Sequence, residues 1–234
     1  MKKPILLLTR PKQRAISFMH GLRVDLLNNA RVIVSPLLEI SATGAEPALE
    51  SDASVIFTST YAVGFAQSGE GRSAYCVGEI TKAAAIARGW DVKQVNATAE
   101  DLIADMDLSQ IKGPLVHLAG RHVRGDIAQT LTKMGTYARL VTLYDQDLIP
   151  LSAEAQDALS GEDPVIVPLF SPRTASHFID QASDMSQVHF VAMSPSVVDA
   201  LGDATGKSLV VAQTPTAQEM RCCVEKLLSK GALA

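Results

Sequence analysis

The sequence predicts an α/β protein of two domains, each a parallel sheet flanked by helices, joined by a two-stranded linker. Three observations lead there. Apolar strand-like runs alternate with stretches of helical length along the whole chain, which is the pattern of parallel sheets covered on both faces. A weak internal repeat runs through the sequence in circular order. The 234 residues suit two cores of roughly 100 residues each better than one. Composition agrees: 47% hydrophobic and 20% charged residues make an ordinary globular chain, with no case for wholesale disorder.

Runs rich in Val, Ile, Leu and Phe place strands over Pro4 to Thr9, Arg31 to Ser35, Ser54 to Ser59, Ala74 to Val77, Val92 to Val95 and Pro114 to Ala119. The second half continues with Ala138 to Tyr144, Val165 to Phe170, His189 to Met193 and Leu209 to Ala212. Between the first two strands Ala15, Phe18, Met19, Leu22 and Leu26 form a helical stripe with one buried face.

The repeat sets the domain organisation. Phe57-Thr58-Ser59 recurs as Phe170-Ser171-Pro172, and Cys76-Val77-Gly78 as Ala192-Met193-Ser194. Ala97 to Leu102 matches Pro215 to Met220, each with a Thr three residues before an acid; Thr216 with Glu219 fits a capping box, and Thr98 with Asp101 a shorter variant. The fourth unit, Leu115 to Ile127 with Arg121 and Arg124, finds its counterpart at the chain start, Leu6 to Ile16 with Arg10 and Arg14. One domain is therefore expected from residues 1–37 with 147–234, the other from the insert 38–146. Ser35 to Ile40 and Val141 to Ile149 are the extended segments placed to cross between them.

Several functions drop out. The first apolar run, Ile5 to Leu8, is too short for a signal peptide or membrane span, so a cytoplasmic protein without membrane contact is expected. Cys76, Cys222 and Cys223 form no CxxC pair and read as free thiols, with the adjacent pair packing a C-terminal helix. A net charge of −4 disfavours nucleic acid as a partner. Gly202 to Ser208 has one residue too few between its glycines for a phosphate loop and precedes a strand; Gly69-Glu70-Gly71 also precedes one, so both are turns. The five histidines show no HExxH, and GxSxG is missing, so metal and acyl-enzyme chemistry are not expected.

What remains is a set of strand ends, each placed where a helix begins: Thr9-Arg10-Pro11, Ser59-Thr60, Gly78 to Thr81, Thr98, Gly120-Arg121, Ser171 to Arg173, Ser194 to Ser196 and Thr214 to Thr216. Helix capping alone accounts for most such Ser and Thr residues, at about 1 kcal/mol apiece. In parallel α/β folds, however, helix starts share one edge of the sheet, where free N–H groups favour anions. Each contributes only about 0.3–1 kcal/mol, so a ligand with several carboxylates fits better than a single phosphate.

In order along the chain, Leu8-Thr9-Arg10-Pro11, Phe57-Thr58-Ser59 with Ala62-Val63, Val77-Gly78 with Thr81, Gly120-Arg121, Val141 to Tyr144, Phe170 to Arg173, Ala192 to Ser194, and Ala212 with Pro215-Thr216 resemble the uroporphyrinogen-III synthase family. Asn28-Asn29 departs from it, standing where a glycine commonly ends the first helix; a left-handed Asn is the expected substitute. The resemblance implies a monomer with its active site in an interdomain cleft. It also implies cofactor-free cyclisation of hydroxymethylbilane, a linear tetrapyrrole with eight carboxylates, to uroporphyrinogen III with loss of water and inversion of ring D. Tyr144 matches the family's linker tyrosine and is the candidate general acid. Thr9, Ser59, Gly78, Thr81, Thr98, Gly120, Ser171, Ser194 and Thr216 are the expected substrate-binding positions, and Arg10, Arg14, Arg121, Arg124 and Arg173 the expected carboxylate partners. A two-lobed binding protein that closes on a small anion is the rival reading, because the same helix starts serve it; a flavin carrier fits less well, since the first strand ends without an acidic cluster.

Overall fold

The structure, a computed structural model, describes residues 3–123, 125–204 and 206–229. It divides into two compact units, Met1–Glu39 with Asp147–Ala234, and Ile40–Gln146. No helix among the described residues is long and apolar enough to cross a membrane.

In the first unit β1 (Ile5–Leu8), β2 (Arg31–Val34), β9 (Val165–Leu169), β10 (Val188–Ala192) and β11 (Ser208–Val211) form a sheet in the order β11-β10-β9-β1-β2, every pair parallel. Successive strand residues point to opposite faces, and both faces are covered. Ile5, Leu7, Val165, Val167 and Leu169 pack with Ala155 and Leu159 of α7 (Ala153–Leu159), Phe178 of α8 (Pro172–Gln181) and Val197 of α9 (Pro195–Asp199). Leu6, Leu8 and Ile166 pack the other way, against Phe18 of α1 (Lys12–His20), Leu26 of α2 (Val24–Asn28), and Met220, Cys223 and Val224 of α10 (Ala217–Ser229). All four residues of β1 are buried, as a strand covered on both sides requires.

The stripe from Ala15 to Leu26 is not one helix. It breaks after His20, where the Arg23 backbone N–H leaves the helical ladder and donates to Glu225 Oε1 of α10 at 2.9 Å. The break still sends Leu22 and Leu26 into the same core. Nor is Asn29 left-handed: its φ is −95°, and its Nδ2 donates to the Asp25 carbonyl at 3.0 Å, so a hydrogen-bonded turn ends α2 without the backbone conformation that glycine serves.

In the second unit β3 (Leu38–Ala42), β4 (Ser54–Phe57), β5 (Ser73–Val77), β6 (Asp91–Asn96), β7 (Leu115–Gly120) and β8 (Ala138–Leu148) follow the order β3-β8-β7-β4-β5-β6. The pairs β4–β5, β4–β7, β5–β6 and β7–β8 are parallel. Val55 and Phe57 face Ala62 and Val63 of α3 (Thr60–Phe65) and Ala85 of α4 (Glu79–Ala87). Ile56 and Leu115 face Leu102 of α5 (Ala99–Asp105) and Ile127 and Leu131 of α6 (Ile127–Lys133). Read from β2 and from β8 the sheets share one order, β2-β1-β9-β10-β11 and β8-β7-β4-β5-β6, so β1 stands where β7 does.

Candidate active site

In an open parallel sheet, ligands sit outside the carboxyl ends of the strands where the chain leaves two neighbours in opposite directions. The second unit has that point between β4 and β7. The helix after β4, α3, covers one face, and the helix after β7, α6, covers the other. The two loops that start there carry Thr58-Ser59 and Gly120-Arg121. Ser59 Oγ accepts the Tyr61 backbone N–H at 3.2 Å and caps α3. Tyr61 and Phe65, four residues apart on that helix, present their rings to Tyr144 at 5.8 and 5.7 Å between centroids, the Phe65 ring stacked at 23°. Tyr144 is 4% exposed and lies over Gly120. Arg121 donates its backbone N–H to the Tyr144 carbonyl at 3.0 Å. Its guanidinium grips Asp145 through Nε–Oδ1 and Nη2–Oδ2, which holds the Asp145 carboxyl below the usual carboxylate range.

The remaining predicted positions of this unit follow along the same edge. Gly78 precedes α4 with φ 83° and ψ 141°, a conformation closed to side chains that bear a Cβ. Thr81 is 6% exposed in α4's first turn, so its hydroxyl faces inward. Thr98 caps α5 at the outermost strand, accepting the Asp101 N–H at 3.1 Å and donating to Asp101 Oδ2 at 2.7 Å. The shorter capping variant is thus closed between side chains. At about 4.8 Å per strand, Thr98 stands roughly 10 Å from the loop that carries Ser59.

The first unit repeats the arrangement between β1 and β9, whose helices α1 and α8 cover opposite faces. Thr9 is buried, and its carbonyl accepts the Leu37 N–H at 2.9 Å. The Arg10 guanidinium lies 4.0 Å over the Phe170 ring, which meets Phe18 edge-on at 5.2 Å. Ser171 caps α8, accepting the Thr174 N–H at 3.3 Å, with Pro172 in the first turn. Arg14 and Arg173 lie in the opening turns of α1 and α8, half-buried. Ser194 precedes α9 but makes no side-chain cap; its Oγ bonds Ser196 Oγ at 2.9 Å. Thr216 Oγ1 accepts the Glu219 N–H at 3.2 Å and opens α10.

Gly120 and Arg121 depart from the expected pattern. No helix begins there: α6 starts at Ile127, capped by Asp126, because the loop first carries Arg121 back to β8 and Asp145. Arg124 lies outside the described residues. Sequence reasoning passed over Tyr61, Phe65, Phe170 and Asp145. An aromatic pair at i, i+4 after a capping serine is the available signal for the first two; Phe170 and Asp145 each adjoin a predicted residue.

Other chemistry is quiet. Cys76 is buried, with its thiol pushed up to about 11 by that burial; Cys223 packs the core while Cys222 is half-exposed. Among the described residues no group of three or more His, Cys, Asp or Glu stands ready to hold a metal ion. A groove of about 580 Å³ between Asp52, Lys112, Tyr137 and Arg139 opens at the amino ends of β4, β7 and β8, the edge opposite the site.

A family model described as uroporphyrinogen-III synthase HemD matches residues 27–221. Among solved structures, uroporphyrinogen-III synthetase from Helicobacter pylori 26695 is similar with a TM-score of 0.66 at 16% identity, over 97% of this chain and 100% of that one. A mutant uroporphyrinogen III synthase from the extremely thermophilic bacterium Thermus thermophilus gives 0.53 at 13% identity, over 97% and 99%. At these identities the likeness is one of fold. A search of curated protein sequences finds no significant match. The family match spans well over half of the chain and takes in the strand ends from Ser59 to Thr216: the chain belongs to the uroporphyrinogen-III synthase family.

Proposed function

We propose that the helix starts at the carboxyl edges of the two sheets, with Arg10, Arg14 and Arg173, hold the carboxylates of hydroxymethylbilane, and that Tyr144 donates the proton with which its hydroxyl departs. As in its family, the protein cyclises hydroxymethylbilane to uroporphyrinogen III in tetrapyrrole synthesis. The observation that carries the residue assignment is the Tyr144 ring lying against Gly120 and against Tyr61 and Phe65 of the helix that Ser59 caps, where the chain diverges from β4 and β7.

The chemistry asks little of the protein beyond placement. A proton from the Tyr144 hydroxyl joins the leaving hydroxyl, the C–O bond breaks, and water departs as the pyrrole nitrogen lone pair forms the azafulvenium cation, its N–H retained. Attack by the substituted carbon of ring D gives a spiro-pyrrolenine, which fragments and recloses with that ring reversed. The ring proton lost on rearomatisation returns to the phenolate, so the enzyme is regenerated. Holding the chain so that this attack outruns direct closure is a positioning effect. The burial of Tyr144 keeps bulk water from its phenol, with Tyr61 and the 38% exposed Phe65 packed upon its ring.

The proposal includes a monomer acting in the cytoplasm without cofactor or nucleic acid; three free thiols and a net charge of −4 support it, and sedimentation of the purified protein tests the monomer. For the mechanism, Tyr144→Phe is expected to lower kcat by about 10²-fold, the scale of one general acid, with KM within about twofold. Wild-type turnover removes the tyrosine from the mechanism. Product composition is read in the same assay, and the unrearranged isomer alone from the wild-type protein would refute the synthase reading.

A further inference from the structure

The register of β7 against β8 slips at one place. Ala119 pairs with Thr142, but Gly120 pairs with Tyr144, leaving Leu143 as an extra residue. Strand residues alternate between faces, so Leu143 and Tyr144 ought to point apart. Instead both are buried in one core, with Phe57, Val63 and Trp90. A bulge of this kind re-aims a side chain, and here the side chain is the phenol.

Gly120 completes the device. It is not among the glycines with positive φ, so its backbone does not ask for glycine. The requirement is space: a Cβ on Gly120 would lie 2.5 Å from Tyr144 Cε2, 2.6 Å from Cζ and 3.0 Å from the hydroxyl oxygen. The ring therefore occupies the volume that any other residue at 120 would fill. Tyr61 and Phe65 pack against the same ring. The residue after the glycine then locks the backbone, Arg121 N–H to the Tyr144 carbonyl and Arg121 guanidinium to Asp145.

We propose that Gly120, the bulge at Leu143 and the Arg121–Asp145 pair form a seat that fixes the Tyr144 phenol for proton transfer, so that Gly120 and Arg121 are positioning residues rather than substrate contacts. This rests on the role given to Tyr144 above, yet its geometric half is testable without substrate. The chain has four tyrosines, so 3-fluorotyrosine labelling gives a short ¹⁹F spectrum in which Tyr144→Phe identifies the Tyr144 resonance. Gly120→Ala is expected to move that resonance in the free protein and to lower kcat about tenfold or more, as small misplacements of a reacting group do, with KM within about twofold. The double variant Gly120→Ala/Tyr144→Phe is expected to be no slower than Tyr144→Phe alone, because residues acting through one group are not additive. Asp145→Asn, at a half-exposed position, keeps the test open if Gly120→Ala does not fold, and is expected to shift or broaden the same resonance and lower kcat about threefold or more at unchanged KM. An unmoved Tyr144 resonance overturns the seat, as do multiplicative losses in the double variant or a raised KM at wild-type kcat. Wild-type turnover in Tyr144→Phe defeats the acid assignment instead, and the resonance separates the two failures.

Discussion

His117 shows how burial dominates the behaviour of a residue beside the site. It lies on β7, 3% exposed, with Nε2 3.3 Å from Thr58 Oγ1. Burial lowers its pKa to about 4, against a weak opposing pull from Asp126. Above about pH 6.5 the ring is neutral folded or unfolded and carries no penalty. As pH falls from there toward 4, the unfolded chain takes up a proton that the folded protein refuses, so stability falls, by about 3 kcal/mol once both pKa values are passed. His117→Asn removes this contribution. In urea unfolding, the loss of stability between pH 7.5 and pH 5 is expected to be about 2 kcal/mol smaller in the variant than in the wild type. Equal losses would mean that the buried ring is not what acid attacks.

At the scale of elements, the capped helix starts carry two roles that one substitution separates. Ser171 is the clearest case, since its hydroxyl serves the first turn of a ten-residue helix that Pro172 also initiates. Ser171→Ala is expected to cost about 1 kcal/mol in unfolding free energy and to leave kcat and KM within about twofold, because the backbone N–H groups that face an anion remain. A large rise in KM without loss of stability would make the hydroxyl itself a ligand contact. These starts were legible in the sequence because a capping residue, a proline and an apolar period are local signals, and Ser59, Ser171 and Thr216 each follow a run of Val, Leu or Phe. What escaped was non-local. The break after His20 brings Arg23 to Glu225, some 200 residues away; β3 reads as a linker until β8 stands beside it. Gly120 reads as a substrate-binding position at a helix start because nothing near it in sequence announces that a tyrosine at 144 fills the space where its side chain would be.

For the whole molecule the consequence lies in where β1 stands. It is the chain's first strand yet sits inside its sheet, paired with both β2 and β9, and its side chains supply both cores of the first unit. The second unit, Ile40–Gln146, holds its own sheet and its own two cores without any residue of β1. A cavity at Leu7, fully buried beside Ile33 and Val167, therefore acts on one unit directly. Leu7→Ala is expected to cost about 2–5 kcal/mol, and hydrogen exchange read by mass spectrometry locates the loss. Amides of β1, β9 and β10 are expected to exchange faster by two or more orders of magnitude, roughly 1.4 kcal/mol per tenfold, while those of β4 and β7 keep wild-type protection. Equal acceleration in both sheets would show that the two units open as one cooperative body, and that the divided cores do not mark independent stability.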